Sequence, residues 1–230
     1  MTGQATDQQL REHAVRLIRD RHATRAFRPE PVPEETLRAI FTLAGAAPSN
    51  SNAQPWRVAV ASGASRDRLA DAIRAAHAGQ RRSAEFPYSE AMYEPAHQAR
   101  RAAFGAELYG TLGISPEDHA ARAAYDVASL GFYGAPHVAF LFVGGDGDPR
   151  LAADVGAYLQ TLLLAMAAHG VASCPQGLLS FYADQVRAEL GVTGGRLLVG
   201  VAFGHADGTA PVNQLATPRA ELAATTTFHD

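Results

Sequence analysis

Lysine is absent from this chain: all 20 basic residues are arginine. Any anion site must therefore be built from Arg, His or backbone N–H groups. Cysteine is almost absent. The single Cys174 excludes an internal disulfide and a thiolate metal site, and it fits a reducing cytoplasm. Net charge is small, and −3 points neither to nucleic acid nor to an anionic membrane surface. Long apolar runs are missing too. The most apolar segment, residues 155–168, is interrupted by Gln160 and Thr161 and falls short of the roughly 20 residues of a membrane span. The polar start of the chain, residues 1–9, has no apolar core of signal-peptide type. There is no phosphate-loop signature, no G-x-G-x-x-G after a strand and no G-x-S-x-G elbow. The nine histidines show no metal-type pairing. Hydrolase and metalloenzyme chemistry thus has nothing to rest on. The expectation is one soluble cytoplasmic domain over residues 1–230, with no internal repeat, low-complexity tract or linker.

The segment that stands out runs Ala46-Ala47-Pro48-Ser49-Asn50-Ser51-Asn52-Ala53-Gln54-Pro55-Trp56 and holds the only Trp. Pro48 and Pro55 stop a helix, because each lacks an N–H and pushes its predecessor to extended geometry. Ser and Asn side chains bond nearby backbone and can hold a fixed irregular loop. Such a loop suits a flat polar ligand, and taken alone it is equally an ordinary helix-to-strand connection.

Around it, the chain reads as alternating helices and strands. Leu10, Ala14, Leu17 and Ile18 predict an amphipathic helix over residues 8–20. Pro33 opens a second helix, with Glu34 and Glu35 in its first turn. Residues 57–61 read as a strand, and Ser65 as the cap of a helix striped by Leu69, Ile73 and Ala76. Residues 79–95 have no period and read as an excursion, followed by a helix over 96–112. Ser115-Pro116-Glu117-Asp118 has the chemistry of a helix start. Residues 137–143 read as a buried strand. Residues 150–169 form a helix apolar nearly all round, which should be covered on every side. A helix over 181–190 closed by Gly191 and a strand over 196–203 follow, then a largely irregular tail over 204–230.

Two Arg and a His fall within the turn Arg21-His22-Ala23-Thr24-Arg25, and the guanidinium fork matches phosphate oxygens. Taken alone this is also the composition of a solvated charged turn. In order, the chain carries Arg-His-Ala-Thr-Arg-Ala-Phe, then Ala-Pro-Ser-Asn-Ser-Asn-Ala-Gln-Pro-Trp, then Cys-Pro-Gln-Gly after the apolar helix, then Pro-Val-Asn-Gln-Leu-Ala-Thr-Pro-Arg in the tail. This ordered set resembles the nitroreductase family of FMN-dependent oxidoreductases, nearly end to end from Arg21 to Arg219. Within the family it is similar to bacterial enzymes that reduce nitrobenzoates and related nitroaromatics, which also carry a segment like Phe132 to Pro136.

The resemblance implies an α+β fold, with a mixed β-sheet flanked by helices and an intertwined homodimer whose C-terminal extensions, here residues 204–230, are swapped. It implies non-covalent FMN at the subunit interface and NAD(P)H as reductant. Arg21, His22, Ala23 and Arg25 would hold the phosphate and ribityl chain, joined by Arg219. Pro48, Ser49, Asn50 and Asn52 would reach the flavin from the other subunit. Pro175, Gln176 and Gly177 would line its other side, with a backbone N–H near N5. No side chain is implied as a catalytic acid. Residues 79–112 would form a lid, with Phe86, Tyr88, Tyr93, Phe104 and Tyr109 as stacking candidates for a small aromatic substrate. Two departures stand out, both implying weaker FMN retention: Ala23 where Ser is common, and Thr217 where some relatives carry Lys. The expected activity is ping-pong reduction of nitroaromatics or quinones. The alternatives are a same-fold dehalogenase or ene-reductase, or a flavin-sequestering protein with little turnover.

Overall fold

The computed structural model describes residues 7–229. Helix α1 spans Asp7–Asp20 and α2 spans Glu34–Ala44, entered through Pro33. Strand β1 (Trp56–Ser62) leads into α3 (Gly63–Ala78). An irregular stretch precedes α4 (Pro95–Thr111) and α5 (His119–Ser129). Strand β2 (His137–Val143), α6 (Pro149–Ala168), β3 (Ala172–Gln176), α7 (Ala183–Leu190) and β4 (Arg196–Gly204) complete the order. The described strands form one sheet in the order β1-β2-β4-β3, antiparallel at every pairing. Among the described residues, parallel pairing is limited to the isolated bridges Ala23–Ser173 and Ser83–Tyr182.

β2 shows why this sheet sits at the centre. Its seven residues are all buried. Successive side chains of a strand point to opposite faces. Val138, Phe140 and Phe142 enter a core with α3 and α7, while Ala139, Leu141 and Val143 enter a second core with α2 and α6. A central strand covered on both faces reads in sequence as an unbroken apolar run, as here.

Several helix starts differ from the sequence reading. α3 begins at Gly63 with Ser62 at its N-cap, so Ser65 lies inside the helix and caps nothing. α5 starts at His119, where the Asp118 carboxylate accepts the Ala121 N–H, and Ser115-Pro116 falls in the turn before it. Phe181 belongs to a 3-10 turn (Gly177–Phe181), and α7 begins at Ala183. In each case a suitable residue lay two to four positions off, and tertiary packing chose between near-equivalent starts.

α6 has 20 residues and is long and apolar enough to span a membrane by length and composition, which exceeds the shorter segment read from sequence. Its Val155, Tyr158, Leu162, Leu163, Ala165 and Met166 are packed in the core. Ala153, Gly156, Gln160 and Ala168 on the same helix stay exposed. α1 buries none of its residues, and Leu10 and Ile18 are more than half exposed. The expectation of a helix covered on every side is thus not met within one chain.

His137 fastens β2 to the chain entering α2. Its Nε2 accepts the Val32 N–H at 2.9 Å and its Nδ1 faces Ser62 Oγ at 2.5 Å. The neutral imidazole with its proton on Nδ1 satisfies both contacts. Burial, then the nearby His205, lower its pKa below the ordinary value of 6.5. The unfolded chain therefore takes up a proton that the folded chain resists, and stability should fall as pH drops below that value. Urea midpoints on either side of it should differ, and His137→Gln, which does not titrate, should remove that part of the difference.

Candidate functional site

The basic turn after α1 is held as an extended segment between two neighbours. On one side, the Thr24 N–H donates to the Ser173 carbonyl of β3 at 3.0 Å. On the other, the Arg28 N–H donates to the His205 carbonyl at 2.9 Å and the Asp207 N–H to the Ala26 carbonyl at 3.0 Å. The turn is thus fixed to both β3 and the start of the tail.

The tail then curls back. A 3-10 turn (Pro211–Gln214) buries Val212 and Asn213, and Val212 and Leu215 pack on Leu108 of α4. This brings Arg219 to the turn from almost 200 residues away. Arg19, Asp20, Arg21, His22, Ala23, Arg25, Phe104, Pro175, Asn213 and Arg219 are among the residues that line one cavity of about 590 Å³, within the range of small-molecule and cofactor sites. Arg25 lies over the Phe104 ring at 5.2 Å.

No carboxylate ion-pairs with Arg21, Arg25 or Arg219 among the described residues. Arg219 instead donates to the Thr217 carbonyl at 2.7 Å and to the Pro218 carbonyl, while Arg25 donates to the Ala23 carbonyl. Burial, then repulsion from Arg219, lower the pKa of Arg21. Asp20 also lines the cavity but pairs with none of these three, and guanidinium groups without an ion-pair partner fit a multiply charged oxyanion.

Pro175 lines this cavity, and Gln176 and Gly177 follow it at the end of β3. The Gln176 side chain points away into the protein, where its amide donates to the Ser129 carbonyl at 2.9 Å. Gly177 is exposed and opens the 3-10 turn. Cys174 beside them is buried, which pushes its thiol up to about 11. It is protonated at neutral pH and unsuited to nucleophilic chemistry.

The polar loop is equally ordered but lies elsewhere. Ser51, Asn52 and Gln54 all have positive φ, a region that residues other than Gly and Asn enter at a cost. The Gln54 N–H donates to Ser49 Oγ at 2.9 Å, and the Gln54 side chain to Asn52 Oδ1 at 3.0 Å. The Asn50 N–H reaches the Asp154 carboxylate of α6. Trp56 stacks on Tyr158 of the same helix at 5.0 Å. Pro48, Ser49, Asn50 and Asn52 do not line the basic cavity. The basic turn sits at the opposite end of α6: Arg21 and His22 share a neighbouring cavity with Ala167, Ala168 and Gly170. From Asp154 to Ala167 the helix rises about 20 Å.

The aromatic candidates scatter. Phe104 alone lines the cavity. Phe86 is partly buried against the α2–α6 core and faces Gly147. Tyr88 meets Phe181 edge-on at 5.5 Å, with its hydroxyl on Glu90 at 2.6 Å. Tyr93 lies under Arg101 at 4.1 Å. Tyr109 packs on Tyr125, 6.2 Å away. Asn213 lines the cavity and is buried, yet sequence reasoning gave it no role, although it sits in the tail motif that carries Arg219.

Residues 18–205 match the nitroreductase family, and the chain belongs to it. A nitroreductase NfnB of Mycolicibacterium smegmatis is 57% identical over 99% of this chain and 96% of its own length. A crystal structure of the FMN-dependent nitroreductase NfnB from Mycobacterium smegmatis in complex with NADPH superposes with a TM-score of 0.94, covering 96% of this chain and 100% of that one. A chloronitrobenzene nitroreductase of Comamonas testosteroni is 36% identical over 92% of this chain and 95% of its own length.

Proposed function

We propose that this chain is an FMN-dependent NAD(P)H:nitroaromatic reductase that works as a homodimer. The observation that carries the reading is the cavity where Arg21, Arg25 and Arg219 converge without a carboxylate partner. The FMN phosphate supplies the missing negative charge. Arg21, His22, Ala23 and Arg25 hold the phosphate and ribityl chain from one side and Arg219 from the other. Pro175, Gln176 and Gly177 line the flavin. Bound FMN supplies the redox chemistry, taking electrons from NAD(P)H and passing them to a nitro group. The protein's part is to bind, orient and exclude water. Quinones meet the same requirement as acceptors. Reductant and acceptor occupy the space beside Phe104 in turn, which gives ping-pong kinetics. Residues 79–112 form the lid over that space.

The separation along α6 supports the dimer. A loop fixed at Asp154 and a turn fixed near Ala167 cannot meet in one chain. Two α6 helices packed antiparallel about a twofold axis bring the loop of each to the turn of the other. That packing also covers the exposed Ala153, Gly156 and Gln160, and the tail after Arg219, with Leu222 61% and Phe228 78% exposed, offers apolar surface to the partner.

The visible spectrum tests the reading. The purified protein, loaded with FMN, should be yellow, bleach anaerobically with NADPH or NADH, and recover with a nitroaromatic acid. Recovery with oxygen alone points to a different oxidant. A colourless protein that cannot be reconstituted with FMN overturns the proposal, as does a monomer in sedimentation that still retains flavin.

A further inference from the structure

The basic turn and the arginine-bearing tail are far apart in sequence, and one side chain joins them. The Asn213 Oδ1 accepts the Arg25 N–H at 2.7 Å. Its Nδ2 donates to the Ala26 carbonyl at 2.8 Å and to the Asp207 carbonyl at 2.9 Å. The backbone ladder between the two segments ends at Ala26 and Asp207. Asn213 takes over there, and its amide extends the pairing by one more residue towards the cavity. Only a side-chain amide presents an acceptor and two donors at this reach. Buried at 7% exposure, these bonds are shielded from water and set the geometry firmly.

We infer that Asn213 is a positioning residue for the anion cradle: it fixes Arg25 relative to the tail segment that delivers Arg219. This rests on the FMN reading above. Arg21 and Arg219 repel each other when the cavity lacks an anion. Without a tie the tail would swing Arg219 outward, where its carbonyl partners Thr217 and Pro218 go with it. Asn213 prevents that loss and so keeps the cradle closed before the phosphate arrives. Preorganisation of this kind raises affinity without any contact to the ligand.

A double-mutant cycle on the FMN dissociation constant tests it, with Asn213→Ala, Arg219→Ala and the pair. Asn213→Ala should weaken FMN binding about tenfold. Arg219→Ala should cost much less in the Asn213→Ala background than alone, because the untied tail no longer presents the guanidinium. A purely structural asparagine would lower the melting temperature of the FMN-free protein while leaving the dissociation constant unchanged, or would give additive effects. Either result overturns the inference. If Asn213→Ala does not fold, Asn213→Ser, too short to reach both carbonyls, replaces it in the cycle. In the unmodified protein, FMN should slow amide exchange at Arg25 and across residues 207–213 together, and slowing at Arg25 alone also overturns the tie. A wild-type protein that takes up no FMN fails the earlier reading instead.

Discussion

Removing the Arg21 and Arg219 side chains together should strip FMN from the protein. In the proposed site each guanidinium would offer the phosphate a charge-assisted hydrogen bond, worth about 1.5–3 kcal/mol. The pair therefore accounts for about 3–6 kcal/mol, or roughly a hundred- to ten-thousandfold in affinity. The double variant should emerge colourless from gel filtration. The same structure predicts an opposite effect without the cofactor. Burial and Arg219 both disfavour the charged form of Arg21, so the cradle is strained while it holds no anion. The FMN-free double variant should melt no lower than FMN-free wild type, and FMN should raise the melting temperature of wild type only. A variant that loses FMN because it is misfolded would melt lower in both states. Melting curves with and without FMN thus separate loss of the cradle from loss of the fold.

The largest effect on stability should come from Arg187→Met. The Arg187 guanidinium bonds Glu85 at 2.6 Å and also the carbonyls of Val192, Gly194 and Gly195. The other oxygen of Glu85 accepts the Leu197 N–H. One ion pair, with about a quarter of each side chain exposed, thereby pins the excursion after α3 to the end of α7 and the start of β4. Methionine keeps an apolar stem but removes the guanidinium that lies over Phe142 and leaves Glu85 and the carbonyls without their donor. Breaking a largely buried pair costs about 3–5 kcal/mol. At about 2–4 °C per kcal/mol for a chain of this size, the melting temperature should fall by about 6–20 °C. Glu85→Gln, which keeps an acceptor for Leu197, should fall by less. A drop of only a degree or two for Arg187→Met would mean that the segment is anchored elsewhere.

What the sequence made legible follows from how local each signal is. Pro33 opens α2 at once, and Gly170 and Gly191, both with positive φ, close α6 and α7 where their positions suggested. The polar loop over residues 46–56 is the fixed irregular segment its composition describes, with Ser49 and Asn52 bonding their own neighbours. Arg21, His22, Arg25 and Arg219 line one cavity, the arrangement that joint phosphate binding would need. The misreadings lie where the deciding partner is remote. Ser65 has cap chemistry, but the chain leaves β1 at Ser62, and sheet register against His137 settles that. Glu85 and Arg187 are 102 positions apart, and Arg25 and Asn213 are 188 apart, so neither pair leaves a local trace.

The separation of the polar loop from the basic turn along α6 has a genetic consequence. If each site draws its turn from one chain and its loop from the other, a defect in the turn and a defect in the loop never belong to the same half-site of one polypeptide. Two alleles, one damaged at Arg21 and one at Asn52, would each encode an inactive protein. Expressed in the same cell, they would form mixed dimers in which one site collects both lesions and the other is wild type. Dominance and recessiveness would then depend on which element is hit: allele pairs from different elements complement, and pairs from the same element do not.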